Sequence, residues 1–172
     1  MELDPDCKDY GYLLGRIFAI YERSIYGLSG SATPDEFGHA MTTPYCIFPR
    51  LFARYHSPRT THRYREGALR QMLDMLLSDY EFPQRATLYE QGRFAVGYDH
   101  ELAEIYREHN LRRIAQTIKR KRIEMDLTQE QLAEKTGISR NSIGKVESGD
   151  CNVSVDTLSA LMAVLGIKMT LE

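Results

Sequence analysis

The 172-residue chain carries 22 Lys and Arg against 24 Asp and Glu, a formal net charge of -2, which excludes a protein that coats nucleic acid through charge alone. Its 42% hydrophobic and 27% charged content is that of a soluble globular chain of one domain or two small ones, and excludes disorder. Apolar runs fall short of a membrane span, Met1-Glu2-Leu3-Asp4 does not open a signal peptide, and Cys7, Cys46 and Cys151 lack metal-ligand spacing; a cytoplasmic protein with reduced thiols, no metal and no cofactor is expected.

From the N-terminus, residues 9–26 read DYGYLLGRIFAIYERSIY and repeat Leu13, Ile17 and Ile20 at helical spacing, with Ile25 further on. Leu14, Phe18 and Tyr21 widen the apolar face, so a helix buried on more than one side is expected. Gly15 interrupts it at a cost of about 1 kcal/mol against alanine. It marks either a tolerated accident or the close approach of another backbone. Residues 27–44, rich in Gly, Ser, Thr and Pro, predict a loop with at most one helical turn around Asp35 to Met41. A second helix follows from Tyr45, with Pro49 admissible only in its first turn.

The stretch from Arg50 to Arg70 holds Arg50, Arg54, Arg59, Arg63, Arg65 and Arg70 with His56 and His62, against one acid, Glu66. It is either a solvated face with a loop at Ser57 to Thr61, or a surface on which guanidiniums track a phosphate backbone without reading sequence. The histidines lack a second ligand at metal spacing. A third helix is expected from Glu66 to Tyr80 on Leu69, Met72, Leu73, Leu76 and Leu77, ended by Glu81-Phe82-Pro83. Over residues 84–99 Gly92 and Gly97 leave the secondary structure open, and helical character resumes at Glu101 with Asn110 as a break or cap. No nucleophile stands beside a histidine, and neither a phosphate-cradling glycine loop nor a carboxylate cluster occurs, so the expectation is a protein that is not an enzyme.

YGYLLGRIFAIYE, TTPYCIFPRLF and the pair YEFP and LYEQGRFAVGY, in that order between Leu3 and Glu101, resemble the C-terminal portion of the large subunit of type I-C CRISPR effector complexes. The resemblance implies a helical bundle equivalent to the small subunit of such a complex, packing along a crRNA-guided assembly and helping to hold the displaced DNA strand. It makes the Arg50 to Arg70 stretch the nucleic-acid or partner surface. The family's region that reads the short motif beside the target lies upstream of this portion. Asp99-His100 stands where the family tends to have another aromatic residue, and Ser57 to Arg65 is divergent.

The charge balance changes sign along the chain: residues 1–110 carry 12 Lys and Arg against 16 acids, and residues 111–172 carry 10 against 8. Leu111 to Met125 aligns Leu111, Ile114, Ala115, Ile118, Arg122 and Met125 on one stripe of a helix. Arg112, Arg113, Lys119, Arg120, Lys121 and Arg122 form its positive run, either a solvated face or a phosphate clamp. Then comes TQEQLAEKTGISRNSIGKVESG, residues 128–149, which reads helix, turn, helix. Thr128 and Gln131 form a capping box, Gly137 supplies the turn, and Ser139 caps a second helix with Ile143 and Val146 inside. Arg140, Asn141, Ser142 and Lys145 are left outside, as residues that bond base edges in a major groove. A last helix runs from Ser154 to Leu165, capped by Ser154 or Asp156. The tail Ile167, Met169, Leu171 alternates like a half-buried strand that either folds on its own domain or pairs with a second copy.

The elements TQEQLA, GIS and VESG resemble the Cro/repressor-like (XRE) helix-turn-helix family over Leu111 to Glu172. The resemblance implies Arg140, Asn141, Ser142 and Lys145 as base readers, and phosphate contacts from Thr128, Gln129, Arg120 and Arg122. It also implies a homodimer on a palindromic double-stranded operator, joined through Ile167, Met169 and Leu171. The whole is expected to be all-α: a helical bundle over residues 1–108, then a small five-helix-type helix-turn-helix domain over 109–172 with a short C-terminal β-strand. The two resemblances together are similar to a cas-derived anti-CRISPR protein, which would engage backbone and large subunits of the effector complex and repress its own promoter from a phage or mobile element. Alternatives are a genuine small subunit fused to a regulator, and a repressor whose bundle binds a partner.

Overall fold

The computed structural model describes residues 4, 6–60, 62–79, 84–149 and 153–168. Their regular structure is entirely helical: α1 Tyr10–Tyr26, α2 Pro34–Thr42, α3 Pro44–Tyr55, α4 Glu66–Asp79, α5 Leu88–Glu124, α6 Gln129–Thr136, α7 Arg140–Ser148 and α8 Val155–Leu165. No helix among the described residues is long and apolar enough to cross a membrane. The chain divides into two compact units, Met1–Tyr106 and Arg107–Glu172, and α5 contributes to each.

In the first unit α1 is the core. Asp9 opens it by accepting the Tyr12 N–H at 3.0 Å, and every residue from Tyr10 to Ser24 is buried. Leu13, Ile17, Phe18 and Ile20 are fully enclosed, with Phe48, Leu51, Leu69, Met72, Leu76 and Phe94 in the same core. Such a helix draws its stability from packing on all sides rather than from propensity.

Glycines decide how close its neighbour comes. A methyl group on Gly11 would collide with the Glu90 carbonyl, one on Gly15 with the Phe94 carbonyl, and one on Gly97 with the Tyr12 carbonyl. Gly15 therefore marks a close backbone approach, and its partner helix carries a matching glycine. Gly97 and Gly92 do not break α5, which is capped reciprocally by Thr87 and Glu90 at 2.6 and 3.2 Å.

The crossing also aligns charges inside the unit. Arg16, 3% exposed, meets fully buried Glu101 at 2.8 Å, and Arg65 approaches the same carboxylate from the residue before α4. Glu22 pairs with Arg23 at 2.7 Å and accepts the Ala32 N–H and the Tyr98 hydroxyl, both at 2.7 Å. These charges are tolerated in the core because each has a partner.

Three local expectations are corrected. Residues 34–42 form a full helix, because Thr33 and Glu36 bond each other's backbone N–H at 3.2 Å and Pro34 presets the first turn. Helix α3 starts at Pro44, which leaves Pro49 beyond the first turn; it sits on the exposed face, where solvent can satisfy the carbonyl it leaves unpaired. Asn110 neither breaks nor caps, since α5 continues through it.

The second unit is built from the C-terminal part of α5 with α6, α7 and α8, around Ile118, Leu132, Ile143, Val146, Leu161 and Leu165. Met125, expected on the buried stripe, is 47% exposed because α5 ends before it. Of the tail, Ile167 packs partly on this core and is not in a strand; Met169 and Leu171 lie outside the described residues.

The glycine crossing yields a test. Gly15→Ala or Gly97→Ala should destabilise the first unit by about 3 kcal/mol, since the added carbon meets backbone that cannot step aside. Gly92→Ala, whose Cβ would meet nothing within 4 Å, should stabilise by about 1 kcal/mol. Denaturant unfolding of the three variants measures both effects; equal changes at positions 15 and 92 would contradict the packing described.

Candidate nucleic-acid interface

Two short helices meet at a glycine that must be left-handed. Thr128 and Gln131 close the capping box of α6 at 2.8 and 3.1 Å, and Gly137, with φ of 70°, ends it. Two residues later Ser139 caps α7 by accepting the Ser142 N–H at 3.1 Å. Leu132, Ile143 and Val146 fill the angle, with Ile138 packed against them. Arg140, Asn141, Ser142 and Lys145 are all exposed, on the first two turns of α7. The Ser142 hydroxyl already bonds that of Ser139 at 2.8 Å, so it serves the cap as well as any ligand. Arg140 stands 2.8 Å from Glu130 of α6.

Behind this surface an ion pair fixes α7. Arg122 of α5 gives Nε and Nη2 hydrogens to Glu147 at 2.6 and 3.0 Å, and a third hydrogen to the Leu127 carbonyl at 2.7 Å. Gln129 adds its amide to Glu147 at 2.9 Å. The two charged side chains are 12% and 4% exposed. Burial alone would raise the Glu147 pKa, but the bonds from Arg122 and Gln129 and the guanidinium charge outweigh it and hold the carboxyl below its usual range. One carboxylate thus ties together α5, α6 and α7.

Two residues expected on phosphate are drawn into this pair. Arg122, expected on phosphate, faces inward because it follows Ile118 by one turn on the buried stripe and Glu147 draws in its charge. Gln129 has its side-chain amide committed to the same group. Thr128 and Arg120 remain at the surface; among the described residues Arg120 makes a long pair with Glu124, at 3.7 Å, and Lys119 is exposed beside it. Glu147 and Glu130 were not among the sequence candidates. The signal for Glu147 was a charged residue, Arg122, placed on an apolar stripe, which requires a buried partner. Ile167 lines a groove of about 450 Å³ with Ile114, Ile118, Leu158 and Met162.

In the first unit the arginine stretch is only partly spent on the fold. Arg54 bonds Glu36 and the Tyr26 hydroxyl, both at 2.8 Å. Arg65, at φ of 46°, reaches Glu101 and Glu104, with its side chain 14% exposed. Arg63 and Arg70 flank Glu66 at 3.6 and 3.8 Å. Arg50 and Arg59 are exposed, with no ion-pair partner among the described residues.

The lowered Glu147 pKa makes stability depend on pH with a definite sign. Its contribution is complete above the unfolded carboxyl value near 4.5 and is lost as pH falls through the lower folded value. Glu147→Gln should cost about 2 kcal/mol at pH 7 and flatten the acid limb of the second unit's stability curve. Urea unfolding between pH 3 and pH 7 checks both.

Comparison with known proteins matches each unit to a different family. Residues 118–171 match the helix-turn-helix family, which spans α6, Gly137 and α7 as described. No curated protein matches the chain. Residues 1–106, more than half of the sequence, match the family described as CRISPR-associated protein (Cas_Csd1), and that match joins a Cas-related unit to a DNA-binding motif. The chain belongs to the Cas_Csd1 family of CRISPR-associated proteins.

Proposed function

We propose that this chain is an anti-CRISPR protein whose first unit occupies, in a type I-C effector complex, the place of the small-subunit-like part of the large subunit. The observation that carries this reading is the joining of a Cas_Csd1 unit with its own closed core to a helix-turn-helix of unrelated family. A working subunit has no use for a sequence-specific DNA reader, which would tie the complex to unrelated DNA. An inhibitor needs only to dock, and gains from a domain that limits its own expression.

The arginine stretch is divided between the fold and the surface. Arg54 and Arg65 are bound within the bundle, while Arg50, Arg59, Arg63 and Arg70 stay exposed and are open to a protein partner as well as to a phosphate backbone. The action is binding without catalysis. The second unit acts as a repressor in the bacterial cytoplasm, as a homodimer on a palindromic operator in the gene's own promoter. Arg140, Asn141, Ser142 and Lys145 choose the bases, while Thr128, Arg120 and Lys119 meet phosphates.

Full-length protein expressed beside a type I-C system should restore plaque formation by a targeted phage, and continued full immunity would sink the inhibitor reading. Arg140→Ala with Lys145→Ala should lower affinity for the gene's upstream DNA about 100-fold in a gel shift and leave the plaque count unchanged. Equal binding by this variant and the wild type would remove α7 from the role of recognition helix.

A further inference from the structure

Arg140 is an electrostatically awkward residue where it stands. It is the first residue of α7, whose first turn contains no acid, so its positive charge adds to the positive end of the helix dipole. The missing negative charge comes from the neighbouring helix: Glu130 in the first turn of α6 places Oε1 2.8 Å from Arg140 Nε. Both side chains are about two-thirds exposed, at 65% and 62%. A pair so open to solvent contributes little to folding. Its consequence lies in binding, because both groups are exposed in the first turns of α6 and α7.

We propose that Glu130 is a specificity-determining residue of the DNA-binding surface, acting through Arg140; the proposal rests on α7 being the recognition helix. A guanidinium has five N–H donors in a rigid fork. The Glu130 carboxylate lies beside Nε, and the two terminal nitrogens, which have no ion-pair partner among the described residues, are the pair that bonds O6 and N7 of guanine in the major groove. Held in this way, Arg140 can meet a guanine without leaving Glu130.

On DNA of any other sequence the same carboxylate counts against binding. It brings a negative charge towards the phosphates and restrains Arg140 from swinging onto the nearest one. Non-specific binding is carried almost wholly by such phosphate contacts, so it loses more than operator binding does. Glu130 thereby widens the gap between right and wrong sequences, at some loss of total affinity. Gln129 does not substitute for it, since its amide is committed to Glu147.

The test uses the full chain, a duplex selected by the wild type from a random library, and a shuffled duplex of the same length and composition. Glu130→Gln removes the charge and keeps the shape at an exposed position. It should tighten binding to the shuffled duplex several-fold and reduce the ratio of selected to shuffled affinity about tenfold. In an Arg140→Ala background the same substitution should change both duplexes by one common factor. A common factor in the wild-type background would overturn the proposal and leave Glu130 as a surface charge only. If Arg140→Ala with Lys145→Ala keeps the wild-type preference for the selected duplex, α7 does not read the bases and both proposals fall. If that double variant loses the preference while Glu130→Gln leaves the ratio intact, only the role of Glu130 falls.

Discussion

Backbone lies against backbone where α1 meets α5, and the first unit is arranged around that approach. Gly11 and Gly15 on one helix and Gly97 on the other remove the carbons that would hold the axes apart. The closeness sets the register of every longer side chain along the two helices. Arg16 comes opposite Glu101, Tyr12 opposite His100 with its hydroxyl 2.9 Å from Nδ1, and Glu22 opposite Tyr98. Charges that would be prohibitive in a core are admitted because the crossing delivers their partners. Arg65 is drawn into the same cluster from the start of α4, so a residue of the basic stretch becomes part of the interior.

The second unit solves the same problem with one carboxylate. Glu147 receives Arg122 from α5 and Gln129 from α6 while itself belonging to α7. The three helices are then oriented by directed bonds in addition to the apolar angle of Leu132, Ile143 and Val146. A recognition surface needs this rigidity, because base contacts discriminate only when the side chains carrying them are held in place. Residues of the ion pair fix the helix, while those on the outer face of α7 are exposed and take no part in it.

Much of this was legible in the residues. Local chemistry was the readiest part: Thr128 with Gln131, Gly137 and Ser139 defined α6, the turn and α7 to the residue, because caps and left-handed glycines act over three or four positions. What depended on distant partners was not. Gly97 in isolation leaves the secondary structure open, and only the Tyr12 carbonyl beside it explains why a residue without a side chain stands there. Arg65 looked like a surface cation because nothing in its own segment announces Glu101, and Arg122, though it lay on an apolar stripe, was not matched to Glu147. Residues 34–42 were underestimated for a different reason: a composition of Gly, Ser, Thr and Pro hid a capping box that was present in Thr33 and Glu36.

On the function proposed above, a Cas-related unit joined to a helix-turn-helix unit serves to occupy a place in an assembly. That claim is tested most directly on the assembly itself. The subunits of a type I-C complex and its crRNA would be co-expressed with this chain, and the complex isolated through a tag on a backbone subunit. The account predicts that the chain co-purifies in fixed stoichiometry and that the isolated complex no longer binds target DNA. A complete complex with full target binding and no trace of the chain would contradict it.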